Sequence, residues 1–329
     1  MTGALDAPRA PAPAPMLRAL ASPRVMRALL PAMSMTILLV AIFVVQPRAM
    51  SYFGLNLMLN LALPIAFATI AQMFVITVND LDLSIGGFVS FVACVGATFL
   101  NDTPLLGVVV LAGCIAVYAA LGALVHLRNL PSIVVTLGMS FVWLGLSILL
   151  LPTPGGTAPA WLVAIVKFKM PFVPFAILMS VVLALVVHVA LMRSAAGVVL
   201  RGSGGNPLAI AKAGWSLLKL KVTMYAFAGF FGVLSGLSLV GMTTSADANI
   251  ALRYTLLSVA GVILGGGEFV GGRVSPIGAV IGALTLALAG SLLSFLQISP
   301  DWQIGAQGVI LVVVLALRAL VNRAEARAR

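Results

Sequence analysis

The sequence predicts an all-α membrane protein with about ten transmembrane helices and with its N- and C-termini both in the cytoplasm. Of its 329 residues, 62% are hydrophobic and only 8% are charged, whereas a soluble domain carries about 25% charged residues. The apolar runs are continuous, which favours helices over the alternating strands of a membrane barrel. The basic residues concentrate in alternate connecting segments, and this asymmetry sets the orientation.

Apolar stretches of helix length recur along the whole chain. A helix that crosses the hydrocarbon core needs about 20 apolar residues. The predicted spans are roughly 27–46, 54–78, 84–100, 105–125, 132–152, 172–192, 222–241, 254–266, 276–297 and 303–321. The eighth is short, and we expect Gly265-Gly266-Gly267 to break it inside the membrane. Residues 1–25 are expected to form a disordered cytoplasmic head, followed by a transmembrane domain over 26–322 and a cytoplasmic tail over 323–329.

The net charge of +11 is better explained by a membrane than by nucleic acid. With the N-terminus inside, only four of the 19 basic residues lie in outer segments: Arg48, Lys167, Lys169 and Arg253. Such a bias marks cytoplasmic loops, and without a basic face that carries interleaved aromatic residues we expect no nucleic-acid partner. The largest inner loop, 193–221, carries five basic residues and is the best candidate for a partner-docking surface.

Catalytic, metal and nucleotide sites are not predicted. The chain lacks the G-x-x-x-x-G-K-[ST] phosphate-binding loop, so we expect no cofactor and no ATP site in this chain. His126 and His188 stand alone, without the spacing of metal ligands. Almost none of the eight acidic residues falls deep in a predicted span. This argues against an ion-coupled carrier, because such carriers usually keep ionisable residues in the membrane.

Residues 79–87 form the first polar interruption, with the sequence N-D-L-D-L-S-I-G-G. Asp82 and Ser84 are expected to cap the helix that starts here, because their side-chain oxygens can accept its free N–H groups. The simpler interpretation is a capped tight turn. The functional interpretation is a polar kink beside a substrate path, with Asp82, Ser84 and Gly86 as path or gating residues.

Residues 202–215 form the second interruption, inside the basic inner loop. Asn206 is a good N-cap and Pro207 suits the first position of a helix. Gly214 suits the helix end. The pattern predicts one short helix, bounded on both sides, which is either an ordinary loop helix or a docking element.

Residues 264–278 form the third interruption and are rich in glycine. Irregular backbone at membrane depth must be buried in protein or line a wet cavity. Gly265, Gly266, Gly271 and Gly272 are therefore further candidates for a substrate path or a gate.

Together these three stretches resemble the membrane permease subunit of bacterial ABC importers for ribose, xylose and related monosaccharides. The family's G-I-D-L-S-V-G element is matched by residues 81–86, and its L-G-G-x-x-x-x-G-G stretch by residues 264–272. Its G-G-N loop is matched by Gly204, Gly205 and Asn206, followed by Ala209 and Gly214. Order and separation agree over roughly residues 50 to 320. The chain departs from the family at Asn79 and Asp80, where two glycines are common, and at Pro207 and Leu208, where acidic residues are common.

This resemblance implies a permease domain of two inverted helical repeats in the bacterial inner membrane. It implies a translocation path between two permease subunits, which are two copies of this chain or this chain and a homologue. A periplasmic sugar-binding protein would deliver the sugar, and a cytoplasmic ABC ATPase would hydrolyse ATP. The segment 206–213 would be the coupling helix in the coupling loop 193–221, with Gly204, Gly205, Asn206, Ala209 and Gly214 as its key residues.

Three alternatives remain open from the sequence. The substrate of a permease in this family could be a polyol, a nucleoside, an autoinducer or an amino acid. A secondary carrier would instead transport alone on an ion gradient. A membrane scaffold would show no solute flux with any partner.

Overall fold

The structure, a computed structural model, describes residues 23–59 and 61–299 and isolated positions between 302 and 316, with side chains from Pro31 onward. The predicted cytoplasmic head up to residue 22, the tail and most of the tenth predicted span lie outside the described residues. Within this part the chain is all-helical, and no strand occurs apart from an isolated bridge between Gly155 and Ala246.

Fourteen α-helices make up the described part, together with a 3-10 turn at Pro47–Met50 and a π-helical turn at Val189–Arg193. In chain order they are α1 (Pro23–Val45), α2 (Tyr52–Leu59), α3 (Ala62–Thr77), α4 (Ile85–Ala97), α5 (Phe99–Asp102), α6 (Pro104–Leu127), α7 (Ser132–Leu150), α8 (Ala160–Val166), α9 (Phe175–His188), α10 (Ala195–Gly205), α11 (Pro207–Lys212), α12 (Leu217–Thr243), α13 (Tyr254–Leu264) and α14 (Pro276–Phe295).

Six helical segments of the described residues are long and apolar enough to cross a membrane, or seven if the bent pair α2 and α3 is one span. The six are Ile85–Asp102, Pro104–Leu127, Ser132–Leu150, Phe175–Arg193, Leu217–Thr243 and Pro276–Phe295. Two shorter apolar helices, Pro31–Val45 and Tyr254–Leu264, also coincide with predicted spans. The all-α membrane fold is therefore confirmed, whereas the count of ten crossings and the orientation of the termini stay predictions.

Helix α12 lies at the centre of the bundle and packs against α3, α4 and α6. Its contact with α4 depends on small residues, because Gly232 faces the ring of Phe88 and Gly236 faces Val92. Helix α14 packs against α1, α3 and α13. Small residues at such contacts let helix backbones approach closely, which is how helices associate where water cannot drive them together.

Candidate functional site

The three sequence motifs meet at the end of α3. The Asn79 side chain, in the turn that follows this helix, donates from Nδ2 to the carbonyl oxygen of Gly204 at 2.7 Å. Its Oδ1 accepts a hydrogen bond from the Gly271 N–H at 2.9 Å. One side chain thus joins the polar stretch 79–87, the last turn of α10 and the glycine-rich loop after α13. We call Thr77, Asn79, Gly204, Gly271 and Gly272 the glycine junction.

Close backbone contact explains the glycines of this junction. A Cβ on Gly204 would overlap the carbonyl oxygen of Thr77 and lie 3.2 Å from the Cα of Gly272. Gly272 has a φ of 64°, and a Cβ there would overlap the carbonyl oxygen of Arg201. Neither position has room for a side chain, so the end of α10, the end of α3 and the loop are held in direct backbone contact.

Asp80 ties the same stretch to the start of α12. Its Oδ2 lies 2.8 Å from Lys221 Nζ and accepts a hydrogen bond from the Tyr225 hydroxyl at 3.0 Å. The Asp80 and Lys221 side chains are only 10% and 18% exposed. Removing one member of a largely buried pair leaves the other charge without its partner, so this contact restrains the geometry of this end of the bundle.

The chain beyond Asp80 runs extended beside the first turn of α7. The Leu81 N–H donates to Ser132 Oγ at 3.1 Å, and the Leu83 N–H donates to Thr136 Oγ1 at 3.0 Å. Side-chain hydroxyls of α7 therefore replace the ladder partners that an extended backbone lacks. The motif thus consists of a turn at residues 78–79, a stretch held by α7 and a short turn closed by the Asp82 side chain on the Ser84 N–H.

Asp82 is the centre of a buried hydrogen-bond network. Its Oδ1 accepts from the Ser84 N–H at 2.7 Å and from the Ser84 hydroxyl at 2.6 Å. Its Oδ2 accepts from the Tyr118 hydroxyl at 2.8 Å, and the Ser84 and Tyr118 hydroxyls lie 3.1 Å apart. In the amide orientation that satisfies both groups, the Gln72 side-chain oxygen accepts from the Asp82 backbone N–H at 3.1 Å, and its NH₂ donates to the Asp82 carbonyl oxygen at 3.0 Å. Gln72, Asp82, Ser84 and Tyr118 form what we call the Asp82 network, and all four are almost fully buried.

The predicted capping roles hold only in part: Ser84 occupies the N-cap position of α4, and Asp82 accepts the Ser84 N–H directly before the helix. The Ser84 side chain makes no hydrogen bond to an N–H of α4, because its hydroxyl donates to the Asp82 carboxylate instead. The free Gly86 N–H of α4 is satisfied from a distant part of the chain, by Thr255 Oγ1 at 3.1 Å. The polar stretch is thus joined to other helices rather than to its own.

Asp82 also lies deeper in the bundle than its place between two helices suggested. Its partner Tyr118 stands nine residues before the end of α6 at Leu127, which is about 14 Å along a helix. A buried acid therefore exists inside the protein, although no predicted span contains it. Both of its carboxylate oxygens accept hydrogen bonds from donors of the protein itself.

The starts of α4 and α13 meet inside the bundle. Besides the Gly86–Thr255 hydrogen bond, the Ala251 N–H donates to Ser90 Oγ at 3.0 Å. Helix α13 has 11 residues, about 16 Å at 1.5 Å per residue, against a hydrocarbon core of about 30 Å. Each of these two helices follows a non-helical stretch and begins among other helices, as a broken transmembrane helix does.

Helix α13 ends where the glycines were expected to break it. Gly265 is the residue after its last turn and packs against Gly278 of α14, and Gly266 has a φ of 96°. Together with Gly271 and Gly272, Gly266 lines a cleft of about 510 Å³ that is bordered by Arg201 and Arg273. This cleft lies beside the glycine junction and not beside the Asp82 network, so the proposed path residues fall into two separate groups.

The short helix in the basic loop is present as predicted. Asn206 caps α11, its Oδ1 accepting from the Ala209 N–H at 3.1 Å, and Pro207 occupies the first position. Ala213 ends the helix, and Gly214 follows with a φ of 86°. None of its residues is buried: Leu208 within it is 75% exposed, and Trp215 just after it is 51% exposed. Gly204 and Gly205 belong to α10 rather than to a loop.

Comparison with known proteins places the chain in a family. Residues 54–315 match the family model described as the branched-chain amino acid transport system permease component. The chain belongs to this permease family. It is 26% identical over 294 residues to the ribose import permease protein RbsC of Escherichia coli strain K12, covering 86% of this chain and 91% of the relative. No solved structure matches the chain.

Two other relatives extend the comparison. The galactose/methyl galactoside import permease protein MglC of Escherichia coli strain K12 is 25% identical over 311 residues, 86% of this chain and 92% of the relative. A probable ABC transporter permease protein, y4mJ, of Sinorhizobium fredii is 25% identical over 290 residues, 86% of either chain. The family expected from the three motifs, an ABC importer permease of the sugar type, is confirmed.

Several residues of the site were not found from the sequence. Asn79 and Asp80 were noted only as departures from the family pattern, and Lys221 only as one charge of a loop. Gln72 and Tyr118 interrupt apolar helices, and a polar side chain inside a membrane helix is a signal that it has a partner. That signal points to a network but does not identify Asp82 as the partner.

Proposed function

We propose that this chain is the membrane permease subunit of an ATP-driven importer that carries a monosaccharide across the bacterial inner membrane. The observation that carries the proposal is the connection between α11 and the interior. A capped helix with no buried residue stands at the surface, and the preceding helix α10 ends in the glycine junction. From that junction one extended stretch leads to the Asp82 network.

A monosaccharide is proposed because the ribose and galactose permeases match nearly the whole chain. A periplasmic binding protein would present the sugar at the outer face, and a cytoplasmic ABC ATPase would bind and hydrolyse ATP. The permease itself would hold no cofactor and would perform no catalysis. The path would run between this subunit and a second permease subunit, identical or homologous.

Two inverted repeats are proposed for the fold of this subunit, with both termini in the cytoplasm. The broken helices α4 and α13 support the repeats, since each follows a non-helical stretch and their first turns touch at Gly86 and Thr255. The charge bias supports the orientation. In this arrangement α11, the glycine junction and the Asp80–Lys221 pair all lie at the cytoplasmic end.

Reconstitution tests the function directly. Proteoliposomes with the chain, its cognate ATPase and its binding protein should accumulate a monosaccharide only when ATP is present. Ribose, xylose and galactose should be compared with leucine and a polyol, because the family model is described by amino acid transport. A hydrolysis-deficient ATPase is the control. Uptake by the chain alone, driven by an ion gradient, would show a secondary carrier instead.

Ala209→Arg tests the docking role of α11. Ala209 is exposed, and arginine is a good helix former, so the helix should persist. A groove closed around alanine cannot absorb the added volume cheaply, and overpacking costs about 1–3 kcal/mol. We expect normal membrane insertion, with the ATPase lost on co-purification and with uptake reduced in parallel.

The matched control is Ala196→Arg, the same change at an exposed alanine near the start of α10. This variant should retain both its ATPase and its uptake. If Ala209→Arg behaves in the same way as the control, residues 206–213 are not the docking helix and the ATPase binds elsewhere.

A further inference from the structure

Asn79 occupies a position that the backbone restricts. Its φ is 61°, in the left-handed region that glycine and, less readily, asparagine or aspartate adopt routinely. Glycine would satisfy this backbone equally well, as it does in the family pattern. What asparagine adds is a side chain with a donor group and an acceptor group. The donor binds Gly204, which is 125 positions away in the sequence, and the acceptor binds Gly271, which is 192 positions away.

The two partners of Asn79 lie on separate segments of the chain, the helix α10 and the loop that follows α13. The Gly204 carbonyl is at the end of α10, where helix carbonyls lack partners within the helix, and α11 starts three residues later. The Gly271 N–H lies in the loop that joins α13 to α14. The next residue, Asp80, holds α12 through Lys221. The chain then leads directly to Asp82, so Asn79 lies where the segment next to α11 contacts the interior of the bundle.

We propose that Asn79 is a positioning residue that transmits movement of the ATPase-docking segment to α13 and the interior, and so sets how much sugar is moved per ATP hydrolysed. This inference rests on the proposed function. Asn79 touches neither sugar nor nucleotide, and its role is to make α10 and the glycine-rich loop move as one unit. Without its amide the two parts remain in contact at Gly204 and Gly272 but are free to slide.

Asn79→Gly isolates the side chain, because glycine keeps the left-handed backbone and removes both hydrogen bonds. Asn129→Gly is the matched control. Asn129 also has a positive φ, of 50°, and is exposed, and its side chain has no hydrogen bond to any residue that the structure describes. Both variants are to be assembled with the ATPase and the binding protein in proteoliposomes, and sugar uptake and ATP hydrolysis are to be measured in the same sample.

For Asn79→Gly we expect normal ATPase co-purification and unchanged basal hydrolysis, with sugar moved per ATP lower on the order of tenfold. Asn79→Asp keeps the acceptor but turns a carboxylate oxygen towards the Gly204 carbonyl oxygen, which repels it. The amount of sugar moved per ATP should therefore fall as far as in Asn79→Gly. Asn129→Gly should match the wild type. A wild-type ratio in Asn79→Gly, an equal loss in Asn129→Gly, or loss of the ATPase from Asn79→Gly would each overturn the proposal. Failure of the proposed function would show separately, as absence of ATP-driven sugar uptake by the wild-type complex.

Discussion

Gly204→Ala is expected to abolish most uptake while leaving the protein in the membrane. Gly204 is helical, so alanine is compatible with its backbone, and the effect is purely steric. The new methyl group would overlap the Thr77 carbonyl oxygen and press on Gly272. Backbone on both sides cannot rotate away, so α10 must move, at a cost of about 1–3 kcal/mol. That cost lowers the population of the wild-type arrangement of α10 by roughly 5- to 150-fold.

Gly202→Ala is the control for this prediction, two residues earlier in the same helix. A Cβ there would meet only the end of the Ile210 side chain, at 2.7 Å, and a flexible side chain can move aside. Uptake and ATPase co-purification should both be near normal in this variant. Equal uptake by the two variants would show that the close contact of α10 with α3 has no role in transport.

The positions of the helices could be predicted because a membrane leaves few alternatives. Backbone groups in lipid must be satisfied internally, so each long apolar run becomes a helix. The eighth span was predicted to start at residue 254, and α13 starts at Tyr254 and ends at Leu264, directly before the expected glycines. The capped helix at 207–212 was equally predictable, since Asn206 and Pro207 act on their immediate neighbours.

The contacts of the candidate site could not be predicted in the same way, because they join distant residues. Asp82 looked like a helix cap from its local sequence, but the Tyr118 hydroxyl from 36 residues away binds its carboxylate. The Gly86 N–H in the first turn of α4 is satisfied by Thr255, 169 residues away. Tyr118 and Tyr225 are indistinguishable from ordinary core aromatics in the sequence. Only the packing of α6 and α12 around the extended stretch brings these two tyrosine hydroxyls within hydrogen-bonding distance of Asp82 and Asp80.

Asp82→Ala is expected to destabilise the permease and to abolish uptake. The carboxylate accepts three hydrogen bonds from buried donors. After the substitution, the Ser84 and Tyr118 hydroxyls can still bond to each other, which leaves the Ser84 N–H and one hydroxyl hydrogen without an acceptor. Each buried unsatisfied group costs about 1–3 kcal/mol, so the total is roughly 2–6 kcal/mol. Thermal melting of the purified protein in detergent measures the loss of stability, and uptake measures the loss of function.

Asp82→Asn separates this structural role from proton transfer. The asparagine oxygen can accept from both Ser84 groups, and its NH₂ can donate to the Tyr118 oxygen at the position of Oδ2. Tyr118 then donates to the Ser84 hydroxyl, which lies 3.1 Å away, so every group keeps a partner except the second hydrogen of the asparagine NH₂. We expect a loss of stability of about 1–3 kcal/mol, half that of Asp82→Ala, and ATP-driven uptake, because an acceptor is needed at this position and a charge is not. If Asp82→Asn instead folds but transports nothing, and wild-type uptake follows an imposed proton gradient without ATP, the carboxyl titrates during transport, and an ion-coupled mechanism would replace the one proposed for this chain.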